Sequence, residues 1–168
     1  MSFAVTEYCD VSERARALGI NEPTGLALLP RNFVDANGAS DLLHESSVQT
    51  VRSLFRQNRI NETRIEKDGQ KIPTIQENEF SLILPTLFVG GLILTGNPHL
   101  LSIALNVISN YATDFFKGIT GRKKVELDVI VQNKNGKGSK KIHYEGGPEG
   151  LKEITEIAGK VFRDEKHD

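Results

Sequence analysis

The sequence predicts an α+β protein, and three observations carry that prediction. Strand-like and helix-like segments mix up to about residue 79, no Asp, Glu, Lys or Arg occurs over the 34 positions from Phe80 to Thr113, and a ββα pattern closes the chain. The expected organisation is a small N-terminal α/β unit (1–79), an apolar helical hairpin (80–116) and a basic ββα unit (117–168).

In chain order, Val11–Leu18 can form a short helix ending at Gly19, and Gly25–Leu29 before Pro30 reads as a buried strand stopped by proline. Ser46 or Ser47 can cap a helix whose Val48, Val51, Leu54 and Phe55 fall at three- and four-residue steps. Thr63–Glu66 and Lys71–Ile75 flank Asp68-Gly69, a hairpin turn signal. The uncharged stretch divides at Gly96-Asn97-Pro98, a helix stop followed by a helix start. In the second half of that stretch, Ser102, Asn106, Ser109 and Thr113 form a polar stripe. Leu101, Leu105, Ile108, Ala112 and Phe115 cover another face. Further on, Val125, Leu127, Val129 and Val131 alternate onto one strand face, and Lys141–Tyr144 returns as the partner strand. Pro148 opens a last helix with Leu151, Ile154, Ile157, Ala158, Val161 and Phe162 at amphipathic spacing.

Composition excludes several classes. With 38% hydrophobic and 26% charged residues the chain can bury a core, so wholesale disorder is out. One cysteine, Cys9, forms neither an internal disulfide nor a cysteine-cluster metal site, and fits a reducing compartment. The first ten residues lack the pattern of a secretory signal. The net charge of −1 is a cancellation: residues 1–116 carry nine basic and thirteen acidic side chains, residues 117–168 twelve and nine.

At 26% charge, about nine charged residues would be expected in the uncharged stretch. Phe80–Gly96 and Pro98–Phe116 supply seventeen and nineteen positions, the lower edge of a membrane-spanning length. Leu82, Leu87, Phe88, Ile93, Leu101, Leu105, Ile108 and Phe115 would then form a membrane or oligomer hairpin. Lys117, Arg122, Lys123 and Lys124 would hold its end at the cytoplasmic face of that membrane. The alternatives are two core helices in a soluble fold, or a hairpin that docks into a larger partner.

Chemistry-bearing motifs are scarce, so no catalytic residue, cofactor or metal ligand is expected. His44, His99, His143 and His167 lack short ligand spacing. Asn135-Gly-Lys-Gly-Ser139 is not placed between a strand and a helix as a phosphate loop requires. Two basic groupings stand out: Arg52, Arg56 and Arg59 on one helical face, and Lys134, Lys137, Lys140 and Lys141 in one loop. With Lys117 and Arg122–Lys124, the loop lysines form a surface for phosphates of nucleic acid or lipid, although no aromatics interleave with them.

The order of parts in residues 80–163 resembles the small effector-associated constant components of bacterial conflict and anti-phage defence systems. An apolar helix leads through Lys117-Gly-Ile-Thr-Gly-Arg-Lys-Lys124 into a strand, a polar hairpin, a second strand and a closing amphipathic helix. The resemblance rests on layout and brings no catalytic residues. It implies a recruiting, adaptor or membrane-attachment role. The expected function is a non-enzymatic adaptor, membrane- or assembly-associated, with a protein partner or a second copy of itself. The alternative is a soluble nucleic-acid or nucleotide-binding module using the basic 117–141 surface.

Overall fold

Alternation of apolar side chains along Lys124–Gln132 (β5) and Ser139–Gly146 (β6) makes these two strands the centre of the molecule. They pair antiparallel from Val125↔Gly146 to Gln132↔Ser139. The computed structural model describes residues 2–75, 81–121 and 123–164. One mixed sheet draws on every part of the chain. Ser2–Tyr8 (β1) pairs antiparallel with β6, Thr86–Val89 (β4) lies parallel to β5 on its other side, and Leu26–Leu29 (β2) closes the sheet antiparallel to β4. The order is β1-β6-β5-β4-β2. Ser81–Ile83 (β3) pairs parallel with the start of β5.

Helices cover both faces of the sheet, unequally. Val48–Gln57 (α2), Pro98–Phe115 (α4) and Ile154–Arg163 (α5) pack on the face formed by Leu26, Leu28, Leu87, Val89, Leu127, Val129, Ile142 and Tyr144. Val11–Leu18 (α1) and the chain through Phe33, Leu42 and Ile65 cover Ala27, Leu29, Phe88 and Ile130 on the opposite face. Asp10 caps α1 by accepting from the Glu13 N–H at 3.1 Å, and Gly19 ends it with a left-handed φ of 74°. On this second face the apolar cover stops at Ile130, and the β5–β6 ladder beyond it is only partly covered.

The α+β class and most elements agree with the sequence. The uncharged stretch is where they part. Its first half is not a helix: residues 81–89 form β3 and β4, and only Gly91–Gly96 (α3) and α4 are helical. The expectation of a transmembrane helix is overturned, because no helix among the described residues is long and apolar enough to cross a membrane. The cause is placement at the centre of the sheet. Leu87 packs on the helical face and Phe88 on the α1 face, so β4 is buried on both sides and its sequence reads as an unbroken apolar run rather than an alternation. Close packing also constrains Gly90, where a Cβ would lie 2.8 Å from the Thr24 carbonyl oxygen.

Along α4, Leu101, Ala104, Leu105, Ile108 and Ala112 face the core as spacing predicts, with Phe116 rather than Phe115 completing the row. The segments around Asp68-Gly69 do not pair with each other. The Thr63 N–H donates to the Leu26 carbonyl at 2.7 Å, and Thr74 forms a single parallel bridge with His44.

Arg52 does not belong to a basic surface. It is buried and forks onto Glu66, with Nη1–Oε2 at 2.9 Å and Nη2–Oε1 at 3.1 Å, while its Nε bonds Glu62 at 3.0 Å. Arg64 adds a bond to Glu66 at 2.8 Å, and the buried His44 places Nε2 3.9 Å from the same carboxylate. This cluster ties α2 to the segment after it. Burial lowers the His44 pKa below its ordinary 6.5; Glu66 opposes that effect and Arg52 and Arg64 add to it. Burial tends to raise the Glu66 pKa, but its contacts with His44, Arg64 and Arg52 outweigh that and hold it below the carboxylate range.

Both shifts make the protein acid-sensitive. The unfolded chain takes up a proton at His44 first, so the stability due to the neutral imidazole is full above pH 6.5 and declines below it. Glu66 acts in the same direction at lower pH. We expect the stability lead of the wild type over His44→Gln, read by urea unfolding, to shrink from about pH 7.5 to about pH 5.5, by at most about 1.4 kcal/mol per pH unit, while His143, whose pKa is raised, acts in the opposite direction in both proteins. A constant lead would remove His44 from this account.

Candidate functional site

The thinly covered half of the sheet carries a second dense polar cluster. Strand alternation puts Val125, Leu127, Val129 and Val131 in the core, so Glu126 and Asp128 of β5 face outward. On β6, Ile142 and Tyr144 turn in and Lys141, His143 and Glu145 turn out. Register sets Asp128 opposite His143 and Glu126 opposite Glu145, giving a square of three carboxylates and one imidazole. Two core strands hold it, which fixes its backbone more firmly than a loop could.

His143 is held at both nitrogens: Nδ1 lies 2.5 Å from Asp128 Oδ1 and Nε2 3.0 Å from Glu145 Oε1. Partial burial lowers its pKa, but the hydrogen bonds and charges of Glu145 and Asp128 outweigh that and raise it. The hydrogen bond from His143 in turn lowers the Glu145 pKa. Lys124 completes the array, with Nζ 3.5 Å from Glu145 and 3.9 Å from Glu126.

A groove runs from this square along the sheet. A cavity of about 160 Å³ is bounded by Glu126, Asp128 and His143 on one side and by Arg31, Glu45 and Thr86 on the other. A second, of about 290 Å³, continues past Arg31, Thr86 and Asp128 to Tyr8, Asp35 and Lys141. The break between β3 and β4 shapes it. Ile83 pairs with Glu126 and Leu87 with Val129, so four steps on one strand match three on the other, and one extra residue bulges out around Pro85. Proline has no N–H to give the ladder, which suits it to that position. Burial raises the Tyr8 pKa, so its phenol stays protonated.

Of the residues singled out by sequence, Lys124 and Lys141 reach this site, and the others fall elsewhere. Leu82, Leu87, Phe88, Leu101, Leu105 and Ile108 are core, Ile93 is half-buried against it, and Phe115 is 42% exposed. Of the polar stripe, Ser109 is buried and donates to the Pro148 carbonyl at 3.3 Å, while Asn106 and Thr113 face out and Ser102 is half-buried. The lysines are dispersed. Lys140 reaches Glu7 on one side of β6 at 2.8 Å, Lys141 enters the groove on the other, and Lys134 lies over the Phe162 ring. Lys117, Lys123 and Lys137 are exposed, and Arg122 is outside the described residues.

Sequence reasoning missed Glu126, Asp128, His143 and Glu145 as a group, although the signal was present. The same alternation that sends Val125–Val131 inward sends Glu126 and Asp128 out together. What it lacks is the register that sets His143 opposite Asp128.

The two sheet edges also differ. β2 has four residues, all buried, and its edge receives the Thr63 N–H. β1 has seven residues, pairs among the described residues only with β6, and exposes Ala4, Val5 and Thr6. No family model, curated protein or solved structure matches the chain.

Proposed function

We propose that the protein is a non-enzymatic assembly component that works as a pair, two copies joining through β1 into one continuous sheet. The open edge of β1 is the observation that carries this reading. An edge strand offers every second backbone N–H and C=O to a partner, and proteins usually blunt such edges with lysine, proline or a covering segment. The sequence Ser-Phe-Ala-Val-Thr-Glu-Tyr has neither Lys nor Pro. Its one charge, Glu7, is already matched by Lys140 within the chain.

The strand suits a second copy of itself. Antiparallel pairing about a two-fold at Val5 sets Val5 against Val5, Ala4 against Thr6 and Phe3 against Glu7, so like charges never meet. An adaptor role is also what the layout resemblance to conflict-system components implies.

Sedimentation equilibrium tests the pairing. The chain is expected to be a dimer at micromolar concentration. Val5→Lys, which opposes two ammonium groups at the axis, is expected to yield a folded monomer with unchanged circular dichroism. A wild-type monomer up to about 100 μM, or a Val5→Lys dimer of wild-type affinity, would overturn the proposal.

A further inference from the structure

We infer that Glu126, His143 and Glu145 form a site for a divalent transition-metal ion of the zinc type, with Asp128 as the group that orients the imidazole. One ligand atom from each of the three residues lies within 4.8 Å of the other two. Ligands about 2.0–2.2 Å from an ion stand roughly 3.4 Å apart in a tetrahedron, so small side-chain rotations close the site. No backbone movement is required, because the three residues stand on adjacent, in-register strands.

The donor set points to the class of ion. One imidazole nitrogen with two carboxylate oxygens suits zinc and its first-row neighbours, whereas magnesium and calcium favour oxygen alone. The Asp128–His143 contact supplies what a metal-binding histidine ordinarily has: a carboxylate on Nδ1 that fixes the tautomer and aims Nε2 at the ion. Nε2 in turn lies on the side of Glu145, its partner at 3.0 Å. The 160 Å³ cavity beside Glu126 and His143 leaves room for a water or an incoming group on the ion. Lys124 sits between the two glutamates as a resident cation and gives way when the ion enters. This inference is independent of pairing through β1.

Isothermal titration of the full chain with Zn²⁺ alone tests it. One equivalent is expected to bind. His143→Asn and the double variant Glu126→Gln/Glu145→Gln should each lose at least about 100-fold in affinity, and Asp128→Asn, with all three ligands intact, about 10- to 100-fold. A purely electrostatic role for Asp128 would weaken Mg²⁺ binding by the same factor, whereas an orienting role acts only on an ion bound through the imidazole. Failure of the wild type to bind, or wild-type affinity in His143→Asn, would overturn the site. Wild-type affinity in Asp128→Asn would overturn the orienting role.

Discussion

Arg52→Met will lower the unfolding free energy by about 3–5 kcal/mol, the largest loss expected from any single charged residue here. Arg52 is 2% exposed and supplies three of the hydrogen bonds that hold Glu62 and Glu66, both largely out of water. Methionine fills much of the same volume, so the cost arises from the charge left behind. Glu66 keeps Arg64, which is half exposed and a weaker counter-charge. Two controls separate this from lost packing. Adding Glu66→Leu to Arg52→Met should recover part of the loss, since a buried ion pair replaced on both sides is often tolerated. The pH trend should also weaken or reverse: with no Arg52 to favour the anion, Glu66 is more easily protonated in the folded state. Urea unfolding at several pH values gives both results. A loss below about 1 kcal/mol would mean water reaches the cluster.

Arg52 also shows how far sequence could reach. Arg52 and Arg56 do lie on α2, whereas Arg59 falls two residues past its end at a left-handed φ of 58°, and only tertiary packing distinguishes Arg52 from Arg56. Glu62 and Glu66 come from an irregular segment with no period to read, so nothing local announces the pairing. Elements with a complete local signal were legible: α1 between Asp10 and Gly19, α2 after Ser47, and the ββα unit with its alternating valines. β1 was not, because an edge strand exposed on both sides has no apolar alternation to show. The candidate site was half legible. Glu126 and Asp128 follow from strand period alone, but their meeting with His143 and Glu145 depends on hairpin register.

The uncharged stretch is settled by the opposite test. If residues 80–116 formed an apolar helical hairpin facing lipid or another subunit, Phe88 and Phe115 would be equivalent surface aromatics. In the sheet they are not. Phe88 is fully buried between Ala27 on β2 and Ile130 on β5, its register partners, and beneath α1, whereas Phe115 is 42% exposed at the end of α4. Phe88→Ala is therefore expected to cost about 3–5 kcal/mol. The cavity has little means to close: Ala27 is too small to fill it, and hydrogen bonds to β4 on both sides pin its walls. Phe115→Ala should stay near or below about 1 kcal/mol, since the ring is 42% exposed and packs edge-on against Tyr111 and Phe116. Equal costs for the two would contradict the central position of β4. A large gap would show that β4 lacks charge because it has no face turned to water, whereas α4 carries none before Asp114 although Ile103, Asn106 and Asn110 are exposed.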